Sequence, residues 1–109
     1  MHMRQGDIVA LEFPFSDLSD KRFRPAVILS NRTYNRHKNV ILAGIYGSST
    51  PLSIPLTNVD LIKKKLKKDS YVSLQNVFSA DKSLLIKSVD SLSKKKLAAI
   101  LDDLHAHLR

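Results

Sequence analysis

Two segments near the start of the chain follow the pattern of β-strands, and a charged loop joins them. Residues 6–13 have a β-branched centre, and residues 25–30 repeat the apolar pattern from Pro25 onward. Arg24 stands at the beginning of the second strand. An arginine in that position can contact a phosphate group while the sheet holds its backbone in place. The chain is therefore expected to begin with two adjoining strands and to fix a cation at the end of one of them.

Four later segments also follow the strand pattern, and the end of the chain follows the helix pattern. The strand candidates are residues 40–45, 52–56, 71–77 and 84–89. The first is continuously apolar, which predicts a central strand buried on both faces, and Pro55 indicates an edge position for the second. Ser93 is a plausible N-cap for a terminal helix. Its apolar stripe is Leu97, Ile100, Leu101, Leu104 and Leu108.

A lysine-rich segment lies between the middle strands. Val59, Ile62 and Leu66 fall at helical spacing, which predicts a short amphipathic turn or helix. Its lysines would face solvent: Lys63, Lys64, Lys65, Lys67 and Lys68. Two uses of these lysines stay open, a solvated face or a contact with RNA or an acidic partner.

These elements predict a mainly β fold in one domain, residues 1–109. Five to seven short strands and one terminal helix indicate a small barrel-like domain with the helix across one opening. The long crossovers of a parallel sheet are missing, so a doubly wound α/β fold is not expected. A chain of 109 residues fits one compact core.

The charge balance points to a polyanionic partner. Lys and Arg number 18 against 10 Asp and Glu, a net charge of +8. Nucleic acid or an acidic protein segment would match this charge. The chain has no cysteine, which excludes disulfides and thiolate zinc sites and suits a cytoplasmic location. No window is apolar enough for a membrane span, and the N-terminus does not read as a signal peptide.

Few residues have the spacing of a metal or phosphate site. Three glycines cannot form a glycine-rich phosphate loop, and His105 and His107 are two apart on the predicted helix and face different ways. No metal site is therefore expected. The loop at residues 32–38 is basic and contains Tyr34, which could stack on a base while its neighbours contact phosphate. A solvated loop is the alternative interpretation.

An ordered set of motifs resembles the PemK-like branch of the MazF/PemK toxin family. The set runs through nearly the whole chain, in the family's order. It consists of residues 6–9 (Gly-Asp-Ile-Val), 13–17 (Phe-Pro-Phe-Ser-Asp), 24–30 (Arg-Pro-Ala-Val-Ile-Leu-Ser), Tyr34 with Asn35, the strand at 40–45, and 81–87 (Asp-Lys-Ser-Leu-Leu-Ile-Lys).

This resemblance implies both a fold and an activity. The fold is an SH3-like β-barrel with a C-terminal α-helix, assembled as a homodimer. The activity is a metal-independent, cofactor-free endoribonuclease of a type II toxin–antitoxin system, acting on single-stranded RNA and inhibited by a cognate antitoxin. Cleavage without a metal uses the ribose 2′-OH as nucleophile, and requires a base, an acid and a cation at the phosphate.

The resemblance assigns the cation, and the rest of the catalytic set departs from the family. Arg24 matches the family's arginine before proline and inherits the transition-state role. Tyr46 stands where the family commonly has threonine, so Ser48 is the candidate hydroxyl. Asp20, four residues before Arg24, is the candidate base, with Asp17 as the alternative. Uncharged Ser73 and Gln75 stand where some members have arginine and aspartate.

The basic residues around the loop at 32–38 are expected to bind RNA, and other functions stay open. The predicted RNA-binding residues are Arg22, Arg32, Tyr34, Arg36, His37 and Lys38. The replaced catalytic positions leave open an inactive relative that binds RNA or protein, or a CcdB-like topoisomerase poison. For Arg24 itself, the alternative is a surface arginine paired with Asp20 or Asp17.

Overall fold

The structure is a computed structural model that describes residues 3–12 and 23–109. In those residues, six strands and two helices follow one another along the chain. They are β1 (Asp7–Glu12), β2 (Phe23–Ile28), α1 (Arg32–Asn35), β3 (Asn39–Tyr46), β4 (Ser53–Leu56), β5 (Ser70–Asp81), β6 (Leu85–Ser91) and α2 (Lys94–Ala106). Single 3₁₀ turns cover Asn58–Asp60 and Lys82–Leu84.

The six strands form one antiparallel sheet in the order β4-β5-β3-β2-β1-β6. The predicted mainly β fold with a C-terminal helix is confirmed. Within the described residues, β4 and β6 remain as two sheet edges, so the sheet is not closed into a full barrel. The run at 40–45 is the central strand β3, and Pro55 lies in an edge strand, as predicted.

Alternating residues of the strands supply two apolar clusters, one on each face of the sheet. Val27, Ala43 and Ile45 belong to the first, where Ile100 of α2 is fully buried against them. Ala26 and Leu42, the strand neighbours of those residues, belong to the second. The period of two in these strands explains why consecutive residues serve opposite cores. Helix α2 therefore covers the first face, and its N-cap Ser93 accepts a hydrogen bond from the Lys96 backbone N–H at 3.2 Å.

Two details of the helical prediction are wrong. Helix α2 ends at Ala106, which leaves Leu108 73% exposed instead of in the apolar stripe. The lysine-rich segment is not helical beyond the turn at Asn58–Asp60, and Val59 and Ile62 are 86% and 64% exposed. Five lysines within six residues repel one another along a helix. The backbone N–H groups of Lys63 and Lys65 instead donate to a carboxylate from β6.

No helix of the described chain has the length and apolar character needed to cross a bilayer.

Candidate active site

Arg24 lies at the exposed beginning of β2, where the sheet fixes its backbone. Its partner across β1 is Leu11, and Ala26 and Ile28 follow it on the same face. Residues 23–25 are exposed, whereas residues 26–28 are buried. The ladder therefore holds Arg24 at the rim of the second apolar cluster, as the sequence predicted for a fixed cation. Glu12 pairs with Phe23, so its side chain leaves the opposite face of the sheet from that of Arg24.

Tyr46 lies at the same end of the sheet, on the neighbouring strand. Ala26 pairs with Gly44, and each of Arg24 and Tyr46 lies two residues further toward that end. The period of two places both side chains on one face. Tyr46 therefore occupies the strand end next to Arg24, where the family resemblance led us to expect threonine.

Gly44 and Asn76 determine how the Tyr46 ring lies on the sheet. The Asn76 side-chain amide donates a hydrogen bond to the Tyr46 hydroxyl. A Cβ built on Gly44 would stand 2.6 Å from Asn76 Nδ2 and 3.0 Å from Tyr46 Oη. Only a glycine leaves space for this arrangement, because real Cβ atoms do not approach other atoms so closely. The hydroxyl oxygen accepts from Asn76, which leaves the phenolic proton to be donated elsewhere.

Sequence reasoning did not single out Gly44 or Asn76. The available signal was the isolated glycine inside an otherwise apolar strand, which often marks a close approach of another group. Asn76 carried no such signal, because its contact with Tyr46 joins residues 30 positions apart and depends on how β5 pairs with β3.

The other predicted catalytic positions have different surroundings. Ser48 lies in the exposed turn two residues after Tyr46, at the same strand end as Arg24. Ser73 is buried and pairs with Ser53 at the β4 edge, and Gln75 is exposed. The turn after Ser48 is held by Ser53, whose hydroxyl donates to the Thr50 carbonyl at 2.7 Å.

Three of the predicted residues lie outside the described part of the chain. They are Asp17, Asp20 and Arg22, in the segment between β1 and β2.

The remaining predicted RNA-binding residues lie at the opposite end of the sheet. Helix α1 and the loop after it connect the far end of β2 to the beginning of β3. At about 3.3 Å per residue, β3 separates Lys38 from Tyr46 by roughly 20 Å or more. The structure thus brings together Arg32, Tyr34, Arg36, His37 and Lys38 and sets them apart from Arg24. Among the described residues, the Arg24 end and the basic residues of the α1 end therefore do not form one continuous patch.

A depression of about 460 Å³ lies beside α1, and it is lined by Tyr34, His37 and Gln5 among others. Tyr34 is 40% exposed there, so its ring is accessible for stacking. A neighbouring depression of about 550 Å³ is lined by Arg4 and Arg32. Arg4 was missed by sequence reasoning, because it lies far along the chain from the basic loop.

The backbone beneath this depression is held by buried polar side chains. Ser30 and Asn35 hydrogen-bond to each other, and Asn35 Nδ2 also donates to the Ser30 carbonyl at 2.9 Å. The Gln5 amide donates to the Leu29 carbonyl at 2.8 Å. The basic residues of α1 therefore project from a firmly held turn.

Lys38, one of the described residues of the predicted RNA-binding set, has a carboxylate partner: its Nζ lies 3.6 Å from Asp81 Oδ2. The Ser83 backbone N–H is the main cause that lowers the pKa of Asp81 below its ordinary value, and the Lys38 charge adds to it. Asp81 is thus ionised at neutral pH and offsets part of the Lys38 charge.

The described residues contain no group of three or more His, Asp or Glu side chains that could hold a metal ion. His105 at the end of α2 and the C-cap residue His107 are both exposed, and His107 Nε2 lies 3.5 Å from Asp103 Oδ1.

Residues 4–108 match the family model of the PemK-like, MazF-like toxins of type II toxin–antitoxin systems. The chain belongs to this family. The match includes Arg24, Tyr46 and the α2 helix, and it confirms the resemblance inferred from the sequence motifs. It does not favour a CcdB-like topoisomerase poison or an inactive relative.

Known proteins resemble the chain in sequence and in fold. An endoribonuclease MazF of Staphylococcus saprophyticus is 34% identical over 102 residues, covering 90% of this chain and 84% of the relative. The Mycobacterium tuberculosis toxin MazF-mt6 superposes with a TM-score of 0.72 at 20% identity, covering 94% and 95% of the two chains. A mycobacterial endoribonuclease solved in complex with its cognate antitoxin superposes with a TM-score of 0.74 at 19% identity, covering 96% of this chain and 91% of that chain.

Proposed function

We propose that this protein is the toxin of a type II toxin–antitoxin system and an endoribonuclease that cleaves single-stranded RNA. The observation that carries the proposal is Arg24. It lies in the family-matched region, on a strand end where the ladder fixes its backbone and Tyr46 ends the adjacent strand. A guanidinium can donate to two phosphate oxygens at once, which suits a phosphorane-like transition state.

The proposed reaction requires no metal. The ribose 2′-oxygen attacks the adjacent phosphorus and gives its proton to a base, for which Asp20 is the candidate. The P–O5′ bond breaks, and the departing 5′-oxygen receives a proton from an acid. The products are a 2′,3′-cyclic phosphate and a 5′-hydroxyl. Arg24 stabilises the negative charge that builds on the non-bridging oxygens in between.

Two hydroxyls at this strand end are candidates for the second donor. Ser48 is exposed in the turn, whereas Tyr46 is oriented by Asn76 and retains its own proton for donation. Separate Tyr46→Phe and Ser48→Ala variants distinguish them. The variant that lowers single-turnover cleavage without weakening RNA binding identifies the donor.

The test of activity is incubation of the purified protein with a long single-stranded RNA in excess EDTA. We expect cleavage to persist in chelator and to leave 2′,3′-cyclic phosphate ends. The absence of cleavage by folded protein, with or without Mg²⁺, would contradict the proposal. Cleavage that stops in EDTA would contradict the metal-free mechanism alone.

RNA binding at the far end of the sheet is also part of the proposal. The predicted set is Arg22, Arg32, Tyr34, Arg36, His37 and Lys38. What supports it is the accessible Tyr34 ring beside one depression, together with Arg4 and Arg32 in the lining of a second depression that shares Gln5 with the first. An aromatic ring among cations is the usual platform for single-stranded nucleic acid.

The proposed protein partners are a cognate antitoxin and a second copy of the chain, in the cytoplasm. A net charge of +8 suits an acidic antitoxin segment. The open β6 edge, with Ile86 44% exposed, supports pairing into a homodimer. Light scattering should report twice the chain mass of 12.3 kDa. A monomer mass at micromolar concentration would exclude the dimer.

A further inference from the structure

The lysine segment, residues 63–68, is irregular in conformation but firmly attached to the rest of the protein. Asp90 of β6, only 3% exposed, accepts hydrogen bonds from the Lys63 N–H at 2.8 Å and the Lys65 N–H at 3.1 Å. Lys64, between these two donors, has a positive φ of 55°. A non-glycine residue adopts this conformation at a cost that surrounding contacts must offset. The carboxylate therefore specifies a strained turn that displays its lysine side chains.

A second attachment holds the other half of the segment. The Asn58 side chain accepts from the Leu66 N–H at 2.9 Å and donates to the Leu66 carbonyl at 3.0 Å. The Leu66 side chain packs against the first apolar cluster. The lysines on either side are thus fixed at their backbone, in contrast to a flexible charged loop.

The segment reaches the Arg24 end of the sheet. Lys65 and Pro25, the residue after Arg24, line one small cavity of about 130 Å³. A Cβ built on Gly47 would lie 3.2 Å from Lys68 Nζ, so this ammonium group lies over the residue that follows Tyr46. Arg24 projects from one face of the sheet and the lysine segment crosses the other. Both approach the same strand ends.

The charge of this segment is not neutralised within the described residues. The ion pairs there join Lys38 to Asp81, Lys96 to Asp60 and His107 to Asp103, and none uses a lysine of the segment. All five of its lysines are exposed. Exposed cations held in place beside a reactive phosphate can bind the neighbouring phosphates at little cost in ordering.

We propose that the lysine segment binds the RNA phosphates that flank the scissile one, and that Asp90 is the positioning residue that holds it there. The proposal rests on the proposed function for the location of the scissile phosphate. The ligand is the single-stranded RNA backbone, which would pass from Arg24 over the turn at Gly47 to Lys65 and Lys68. This role differs from the predicted contacts at α1, which lie at the other end of β3.

The test compares two double variants that each remove two positive charges. Lys65→Gln/Lys68→Gln alters the proposed site, and Lys94→Gln/Lys95→Gln alters exposed lysines at the beginning of α2. The probe is a fully 2′-O-methylated single-stranded RNA, which lacks the nucleophile and is not cleaved. Its affinity is measured by fluorescence anisotropy as salt is varied.

We expect the Lys65/Lys68 variant to reduce the log–log salt slope by about 1.4, at about 0.7 for each lost phosphate contact. The factor by which the variant binds RNA more weakly than wild type should then be about sevenfold larger at 50 mM than at 200 mM salt. The control variant should leave the slope near that of wild type. Equal changes in both variants, or none in either, would overturn the proposal, including the case in which the segment binds only an acidic protein.

Asp90→Asn supplies a second, opposite-signed test. It raises the net charge, so general attraction alone would tighten RNA binding, whereas loss of the acceptor for one backbone N–H should weaken it. Weaker binding by the folded variant supports the positioning role, and equal or tighter binding overturns it. If Asp90→Asn does not fold, the lysine pair still decides. Because the probe cannot be cleaved, these results are independent of whether unmodified RNA is cut by the wild type.

Discussion

The two ends of the β2–β3 pair are both basic, but they differ in what surrounds the charge. At one end, Arg24 lies beside Tyr46, whose ring is seated on Gly44 and bonded by Asn76. At the other end, the α1 residues surround shallow depressions above a network of buried amides and hydroxyls. One end offers a cation next to an oriented hydroxyl, whereas the other offers cations next to a stacking ring.

This difference separates chemistry from binding. Acid–base chemistry requires a proton donor at a fixed position beside the reacting phosphate, and Tyr46 is one of the two candidate donors at the Arg24 end. Stacking and phosphate contacts tolerate many RNA sequences and require only accessible rings and charges. We therefore propose that turnover takes place at the Arg24 end and that the α1 end retains the RNA, with the lysine segment extending the Arg24 end.

The largest expected effect comes from Arg24→Ala. Removing one charged transition-state contact should lower single-turnover cleavage by about 100- to 1000-fold, on the order of 3 kcal/mol by comparison with loss of one oxyanion donor. Arg24→Lys should restore little, since an ammonium cannot reproduce the two-pronged contact. Circular dichroism controls for folding. Full cleavage by folded Arg24→Ala would remove the distinction between the two ends.

Gly44→Ala should damage the Arg24 end through packing alone. The added methyl would meet Asn76 Nδ2 at 2.6 Å, so Tyr46 or Asn76 must move, at about 1–3 kcal/mol of unfolding free energy. The cleavage rate should also fall if the Tyr46 hydroxyl is displaced. Gly47→Ala is the matched control, because its methyl meets only the flexible end of Lys68, at 3.2 Å. Urea unfolding compares the stability of the two variants, and the cleavage rate is measured for Gly44→Ala alone. Equal stability of the two variants would contradict the close packing of Tyr46 and Asn76 against Gly44.

At the α1 end, Arg32→Gln/Arg36→Gln should act on binding rather than on chemistry. Loss of two phosphate contacts should make the salt slope for single-stranded RNA shallower by about 1.4 units. The single-turnover rate at saturating RNA should stay near that of wild type. A reduced single-turnover rate at saturating RNA would mean that the α1 end also takes part in the chemistry, which would contradict the separation of chemistry from binding.

The smallest expected effect concerns acid stability. Burial opposes ionisation of Asp90, but hydrogen bonds from the Lys63, Ser91 and Lys65 N–H groups and the Lys63 charge outweigh it, so its pKa lies below the ordinary 3.8. Asp90 therefore stabilises the fold above that ordinary value, and this contribution is lost as pH falls through the lower folded-state value.

Urea unfolding between about pH 5 and pH 2 measures this contribution. Asp90→Asn should be less stable than wild type at neutral pH, and the gap should narrow as the acid limit is approached. Asp81→Asn is the exposed counterpart and should show a much smaller gap. A constant gap for Asp90→Asn across this range would mean that its carboxylate charge does not hold the lysine segment.

The strands and the final helix were predictable because their signals are local. The continuous apolar run of β3 and the Ser93 cap followed by a three-and-four stripe both correspond to observed elements. The helix predicted for the lysine segment was wrong. The helical spacing of Val59 and Ile62 contains no information about Asp90, which is distant in sequence and accepts hydrogen bonds from the backbone N–H groups of Lys63 and Lys65.

The site was predictable only in part, for a similar reason. Arg24 could be singled out because it precedes a proline at a strand start. The separation of Arg24 from Arg32 and Arg36 could not be seen. These arginines are close in sequence, but the length of strand β2 lies between them in the fold. The Asn76 contact with Tyr46 depends on the pairing of β3 with β5, two segments 30 residues apart, which no local sequence pattern indicates.

The most direct test of the central claim is to map where an uncleavable RNA binds. A fully 2′-O-methylated single strand titrated into ¹⁵N-labelled protein reports on each backbone amide. We expect the amides of Arg24, Tyr46 and Gly47 to shift together with those of Arg32–Asn35, so that RNA contacts both ends of the β2–β3 pair. Shifts confined to Arg32–Asn35, with Arg24 and Tyr46 unaffected at saturation, would contradict the assignment of the reacting phosphate to Arg24.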